Sequence, residues 1–455
     1  VFHHDTIIAP ATSSGEGGIG IIRISGPSAE EALSRFFNPS KGNNSLASHH
    51  LYHGRIHCYE GTLVDEVMAV VMRGPRSYTR EDVVEVHCHG GPVVMRRILD
   101  LFLEWGLRLA RPGEFTLRAF LNGRIDLARA EAVIDVIRSR SEAACHVALQ
   151  QLEGRLSSTI ARFRDGIAEL LAEIETHVDF SDDDIEHTDQ GFLQTRAREL
   201  LASMDHLLAT FDTGRTLREG LSVLILGRPN AGKSSLLNAL LGESRAIVTE
   251  VAGTTRDTIE ESMTLGSLPL RLIDTAGIRH TEDLVEIEGV RRARHKVASS
   301  DLVLLVVDGS IPLNHEDFLA LDACGDARVL LVINKRDLPQ IPVTPPFSDM
   351  PSAAISTHTG EGMDELRSAI ERVFYGVRGG DTRESVMLSD RRHREALLRA
   401  RQAIDRFHAG SIKELSPEFL ALELREALQA LGEITGETTP DEILDRIFSR
   451  FCIGK

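Results

Sequence analysis

Basic residues are in short supply: Lys and Arg number 51 against 68 Asp and Glu, a formal net charge of −17. A chain so charged does not coat nucleic acid non-specifically, because that requires clustered Lys and Arg. Any RNA contact has to come through a local basic patch or a partner that supplies positive surface. Cysteine is scarce as well, five residues scattered and odd in number. That argues against a disulfide framework and suits a reducing compartment. No apolar run approaches the roughly 20 residues needed to cross a bilayer, so no membrane association is expected. Val1–Pro10 lacks both a basic-then-apolar signal pattern and the Arg-rich character of a transit peptide. A cytoplasmic address follows as the expectation. The chain carries no internal repeat.

What is present describes a globular protein: 42% hydrophobic and 26% charged residues over a length of 455, enough for two to four domains. Residues 5–110 read as short strands with one or two helices, with β-branched stretches at Gly20–Ser25, Leu63–Met72 and Val83–His89 and an apolar helix over Val93–Trp105. From about Thr116 apolar residues recur at helical spacing as far as Val178, with breaks expected at Gly154 or Gly166. A further helix is expected from Gln190 to about Thr213. At Leu221 strands begin to alternate with helices (Ser222–Leu226, Leu270–Ile273, Leu302–Val307, Val329–Ile333), the pattern of a parallel sheet covered by helices. Helix returns at Ser389–His408, Pro417–Gly432 and Pro440–Phe451, with Gly376–Arg383 as linker. The fold class expected is multidomain α+β and α/β: an α+β domain over 1–118, a helical domain over 119–217 and 380–455, and an α/β domain over 218–379 inserted into it. Two independent helical domains are the alternative.

The α/β segment carries the chemistry. Strand Ser222–Leu226 runs into Gly227-Arg-Pro-Asn-Ala-Gly232-Lys233-Ser234 and then a helix-forming stretch, which is the strand–loop–helix setting of a phosphate loop. Glycines let backbone N–H groups of Asn230, Ala231, Gly232 and the following Ser234 and Ser235 turn toward phosphates, and the helix N-terminus adds positive potential. Lys233 is placed to reach the β- and γ-phosphates and the Ser234 hydroxyl to bind Mg²⁺. Asp274-Thr275-Ala276-Gly277 closes the next strand, its carboxylate suited to hold magnesium through water and the Gly277 N–H to sense the γ-phosphate. Asn334-Lys335-Arg-Asp337 closes another: Asp337 can accept from guanine N1–H and N2, while Asn334 and the Lys335 stem hold the remaining ring edge and face. Adenine offers neither donor, so such a site can reject it by as much as ~10⁴–10⁵. Ser356-Thr357-His358 stands where Ser-Ala-Lys is usual, and its backbone contacts can survive the change. Gly253-Thr254-Thr255-Arg256-Asp257 reads as a switch whose Thr255 binds Mg²⁺. Ile278 occupies the position where many signalling GTPases keep a water-orienting glutamine, so hydrolysis has to find help elsewhere. These motifs predict a protein that binds and hydrolyses GTP.

Four segments together resemble the MnmE (TrmE) family of tRNA-modification GTPases. They are Gly227-Arg-Pro-Asn-Ala-Gly-Lys-Ser-Ser235, the Gly253–Asp257 switch, Arg111-Pro-Gly-Glu-Phe115, and the C-terminal Phe451-Cys-Ile-Gly-Lys455. The resemblance spans the whole chain. It implies a homodimer whose N-terminal domain dimerises and binds a tetrahydrofolate one-carbon donor, in a 5-formyl or 5,10-methylene form. It further implies an FAD-dependent partner of the MnmG or GidA type, with which the wobble uridine of certain tRNAs is modified at C5 by an aminomethyl-type (carboxymethylaminomethyl) group. By position, Asn230 with Thr249, Val251 and Thr254 would ligate K⁺ beside the phosphates, where an arginine finger sits elsewhere, and Glu286 would orient water. Arg23, Glu85, Arg124 and Lys455 match the folate-contacting positions, Arg124 standing where some members have Lys, which changes geometry while keeping charge. Cys452 is either a catalytic participant or a small apolar side chain. A regulatory GTPase switch in RNA or ribosome maturation, without modification chemistry, is the competing reading.

Three patterns point elsewhere and are set aside. Gly15-Glu-Gly17-Gly-Ile-Gly20 satisfies a dinucleotide spacing, yet Ile21–Ile24 after it is strand-like rather than helical. His87-Cys88-His89 on a strand puts the two histidines on one side and the thiol on the other, with no second ligand pair. Asp182-Asp-Asp184 with Glu186 is most simply a solvated acidic turn, with cation binding as the alternative.

Overall fold

The computed structural model describes residues 5–13, 15–40, 46–179, 190–243, 261–265, 268–273, 294, 296–375 and 386–455. The chain divides into two compact units. One comprises residues 1–134, 151–200 and 399–455, the other residues 135–150 and 201–398. The division passes through the helical segments on either side of the α/β part.

The first unit is built on a seven-stranded sheet in the order β3-β4-β5-β6-β2-β1-β7. Its strands are β1 (Ile7–Pro10), β2 (Gly17–Ser25), β3 (Phe37–Pro39), β4 (Leu51–His57), β5 (Leu63–Met72), β6 (Val83–Gly90) and β7 (Arg108–Leu109). Neighbours are antiparallel except β7, which runs parallel to β1. Alternation sorts the side chains: Ile22, Ile24, Val84 and Val86 join a core with helices α1 (Ala29–Phe36) and α2 (Pro92–Glu104). The intervening Arg23, Glu85 and His87 therefore lie on the opposite face, as the two-residue period requires. Gly17–Gly20 falls inside β2, so the spaced glycines open no helix.

Helical spacing in the next segment resolves into α3 (Glu114–Leu121), α4 (Leu127–Arg138), α5 (Glu142–Leu152) and α6 (Arg155–Asp179). The break falls at Gly154, where φ is +92°, and not at Gly166, which sits within α6. A Cβ at 166 would lie 3.1 Å from a Leu200 methyl, so that glycine serves close helix packing instead of a turn. Helix α7 covers Gln190–Ala209, and α8 follows at Phe211–Glu219.

The second unit contains a six-stranded sheet in the order β13-β12-β11-β8-β10-β9. The strands are β8 (Leu221–Leu226), β9 (Glu261–Leu265), β10 (Leu268–Ile273), β11 (Leu302–Asp308), β12 (Val329–Asn334) and β13 (Ser352–Ala354). All pairings are parallel save β9 with β10. Both faces are buried: Val223, Ile225, Leu304, Val306, Leu330 and Val332 enter one core, and Leu224, Leu226, Val303, Leu305, Val307 and Leu331 the other. Near-continuous aliphatic strands are what a doubly covered parallel sheet demands. The helices of the described α/β part are α9 (Lys233–Glu243), α10 (His315–Cys324) and α11 (Met363–Tyr375). Then come α12 (Arg391–Ile412), α13 (Pro417–Thr435) and α14 (Asp441–Phe448). Among the described residues, no helix is long and apolar enough to cross a membrane.

Candidate functional sites

The carboxyl ends of β8, β11 and β12 carry the candidate nucleotide site, the position where open parallel sheets bind ligands. Between β8 and α9 the loop holds Asn230 at φ +63° and Gly232 at φ +102°. A Cβ at 232 would lie 2.0 Å from the Asn334 amide nitrogen, so only glycine allows that approach. Lys233 is buried, and its ammonium donates to the carbonyls of Gly227 and Arg228, both at 2.8 Å. Burial pushes its pKa down. Among the described residues its hydrogen-bond partners are these two neutral carbonyls, which the cation is poised to exchange for a more highly charged acceptor. Arg228 reaches the buried Asp317 at 3.2 Å, tying the loop to the start of α10.

Asn334 is buried and links three segments: its Nδ2 donates to the Ala231 carbonyl at 3.0 Å, and its Oδ1 accepts from the Thr357 N–H at 3.2 Å. Lys335 adopts φ +65°, and its ammonium meets Asp308 Oδ2 at 2.5 Å. Asp337 accepts from the Ser356 hydroxyl at 2.6 Å, a contact that holds its carboxyl below the ordinary range. The same Ser356 oxygen accepts from the His358 and Thr359 N–H groups. The turn at 356–359 thus works through its serine and its backbone, so a histidine at 358 disturbs none of these bonds. The structure brings together Asn230, Ala231, Gly232, Lys233, Ser234, Ser235, Asn334, Lys335, Asp337, Ser356 and Thr357. Thr249, Val251, Thr254, Thr255, Asp274, Thr275, Ala276, Gly277 and Glu286 lie outside the described residues.

A second constellation lies in the first unit. Arg23 and Glu85 are cross-strand partners on β2 and β6, with nitrogen–oxygen distances of 2.8 and 2.9 Å. Arg23 also donates to the Gly454 carbonyl at 3.2 Å. That carbonyl arrives because the C-terminal turn seats on β1: Gly454, at φ +94°, would place a Cβ 2.0 Å from the Pro10 carbonyl oxygen. Lys455 is half-buried, and burial followed by the nearby Arg23 charge lowers its pKa, while Glu85 and Cys452 oppose the shift. Arg124 stacks over the Tyr78 ring at 4.8 Å and donates to the Tyr78 carbonyl at 2.7 Å. Cys452 is exposed, its carbonyl accepting from Gly113 N–H at 3.4 Å. Sequence reading missed three members. Tyr78 and Phe115 both face the Arg23 guanidinium, at 5.5 and 5.8 Å, and His87 meets Glu85 at 3.4 Å. A period-two reading places His87 beside Glu85; nothing in the sequence announces the two rings. His89 pairs instead with Asp65 at 2.7 Å, and Cys88 packs against Met95.

The Arg111–Phe115 segment supports this site from below. Glu114 accepts from Arg108, from Arg118 and from the Arg111 N–H. Arg118 reaches Asp5 at 2.7 Å and Glu81 at 3.1 Å. Burial raises the pKa of Asp5 and Glu114, but the two guanidiniums outweigh it and hold both carboxyls below their ordinary values.

A phosphate loop, a base-recognition turn and a doubly covered parallel sheet define the second unit as a P-loop guanine-nucleotide-binding domain. Comparisons with known proteins make the assignment particular. Residues 127–452 match the model of the MnmE helical domain, and residues 6–124 that of the GTP-binding protein TrmE N-terminus. A relative from Syntrophotalea carbinolica, "tRNA modification GTPase MnmE", is 59% identical over 100% of both chains. Namesakes from Geobacter metallireducens and Natranaerobius thermophilus are 51% identical over 100% and 44% identical over 99% of both chains. The solved G domain of the T. maritima FeoB iron transporter is 27% identical over 33% of this chain and 97% of its own, with a TM-score of 0.24. That overlap is too small to add to the argument. The chain belongs to the MnmE family of tRNA modification GTPases.

Proposed function

We propose that this GTPase works with an FAD-dependent partner of the MnmG type to modify the wobble uridine of certain tRNAs at C5, using a tetrahydrofolate one-carbon donor. The observation that carries the reading is the convergence of Arg23, Glu85, Arg124, Tyr78 and Lys455 on one face of the N-terminal sheet. Rings, a half-buried carboxylate and cations suit a flat heteroaromatic ligand with an acidic tail. Glu85 would meet the amino-pyrimidinone edge, and Arg23, Arg124 and Lys455 the glutamate tail; bound there, the folate supplies the one-carbon unit. Cys452 stands next to this set and is assigned to the modification chemistry.

In the G domain, Lys233 grips the phosphates, Asp337 reads guanine, and Ser234 with Thr255 holds Mg²⁺, Asp274 acting through water. Asn230 with Thr249, Val251 and Thr254 holds K⁺, and Glu286 orients the attacking water. Bound there, the cation would supply charge compensation at the phosphates, the help that Ile278 in place of a glutamine does not give. The protein acts as a homodimer in the cytoplasm. Its proposed domains are 1–118, 119–217 with 380–455, and 218–379. Mass analysis of tRNA nucleosides from cells lacking the protein tests the reading: the C5 group is expected to vanish from the wobble uridine, and an unchanged nucleoside would leave a regulatory GTPase. Exchanging K⁺ for Na⁺ separately tests the cation, with a severalfold fall in turnover expected and equal rates counting against it.

A further inference from the structure

Asp308 ends β11, and its register partner is Asn334, the first residue of the base-recognition turn. Its side chain is 4% exposed, against 35% for the side chain of Lys335, whose ammonium it meets at 2.5 Å. Exposed Lys–Asp contacts contribute little. Here one partner is almost wholly withdrawn from water, and a buried carboxylate keeps its charge only when its oxygens are satisfied. They are satisfied on both sides: Asp308 Oδ1 accepts from the Ser310 N–H at 3.0 Å and hydroxyl at 2.6 Å, leaving Oδ2 for Lys335. Burial opposes ionisation of Asp308, but the Lys335 and Ser310 contacts prevail and its pKa falls below the ordinary value.

The neighbouring backbone is equally fixed. Gly309 N–H donates to the Asn334 carbonyl at 3.0 Å, and Ile341 N–H to the Gly309 carbonyl at 2.8 Å. Gln340 Nε2 donates to the Lys335 and Leu338 carbonyls at 2.8 and 2.9 Å. Lys335 is thus clamped at both ends, its backbone in the left-handed region and its ammonium on Asp308. A lysine stem otherwise samples many rotamers, and ordering it on ligand binding lowers affinity.

We propose that Asp308 is a positioning residue for nucleotide recognition, holding the Lys335 stem as a preformed wall of the base slot before any nucleotide arrives. The proposal rests on reading Asn334–Asp337 as the base-recognition turn. Because the stem touches the base and not the reacting phosphate, Asp308 governs affinity and leaves the hydrolytic step alone.

The test is Asp308→Asn in the full chain, read by binding of a fluorescent GDP analogue and by steady-state GTP hydrolysis. The expected result is a rise of about ten-fold in Kd and KM, carried by faster release, with kcat within about two-fold of wild type. In a Lys335→Ala background the same substitution is expected to add less than about two-fold, because the side chain it acts through is gone. Losses that multiply across the two substitutions, or a fall in kcat at constant KM, would overturn the proposal. If Asp308→Asn does not fold, Ser310→Ala takes its place. It removes one brace from the carboxylate and is expected to weaken GDP binding about two- to three-fold, but not when Lys335 is already alanine; equal weakening in both backgrounds overturns the idea. Wild-type protein that fails to bind GDP would refute the reading of the turn itself, a result distinct from a silent Asp308→Asn.

Discussion

A single methyl group at the C-terminus tests how the proposed folate site is assembled. Gly454 adopts φ +94°, and a Cβ there would lie 2.0 Å from the Pro10 carbonyl oxygen, a backbone atom that cannot swing away. Backbone strain of this kind costs about 1–3 kcal/mol before the overlap is counted. Relieving the overlap means lifting the tail from β1, which breaks the 3.2 Å bond from Arg23 to the Gly454 carbonyl. At about 1.4 kcal/mol per factor of ten, a penalty near 2–3 kcal/mol depletes the seated tail about 30- to 140-fold relative to the lifted one. Gly454→Ala is therefore expected to weaken binding of 5-formyltetrahydrofolate by about ten-fold or more, as measured by calorimetric titration. GTP turnover and melting temperature are expected to stay near wild type, because the exposed Cys452 and Ile453 side chains beyond the buried Phe451 add nothing to the cores. Undiminished folate-class affinity in a folded Gly454→Ala protein would show that the seated tail and Lys455 are not part of the site.

Two further outcomes follow from the ion pairs and hydrogen bonds of individual carboxylates. Arg118→Met leaves Glu81 without its guanidinium and strips one of two from Asp5 and Glu114; breaking such a buried cluster is expected to cost about 3–5 kcal/mol in chemical denaturation, and a loss under about 1 kcal/mol would contradict the pairing described. The Asp5 and Glu114 carboxyls have depressed pKa values in the native state, so their stabilisation is present above the unfolded pKa and is lost as pH falls through the folded one; the wild-type advantage over Arg118→Met should therefore shrink in acid. Ser356→Ala removes the bond that holds the Asp337 carboxyl down, so GDP binding should fail at a higher pH in the variant than in wild type as acid is added. Coincident pH profiles would refute that role for the serine.

Much of this was legible from residue order because local motifs carry their own geometry. Gly227–Ser235 specifies a turn between a strand and a helix, and the structure has Leu221–Leu226 before it and Lys233–Glu243 after it. Arg23 and Glu85 required only a strand period and a family resemblance. What escaped was whatever depends on segments distant in sequence. Ser356 reaches Asp337 across 19 positions, and Asp308 meets Lys335 across 27; neither spacing is a motif. Tyr78 and Phe115 carry no sequence signal that sets them against Arg23; only the fold brings both rings to its guanidinium. Gly166 misled for a related reason. An interior glycine costs a helix about 1 kcal/mol relative to alanine, so a break was reasonable, but close packing against Leu200 gives the residue another purpose. The switch residues 253–257 and Glu286 lie outside the described residues, so their assignments still rest on the sequence.

The buried Lys233 and the Asp337 carboxylate are together the proposed grip for guanine nucleotides. Equilibrium binding of GTP and ATP to the purified full-length protein addresses it most directly. Selective uptake of GTP, with ATP weaker by several orders of magnitude and up to about 10⁴-fold, is the predicted result. Equal affinity for the two, or for neither, would contradict it.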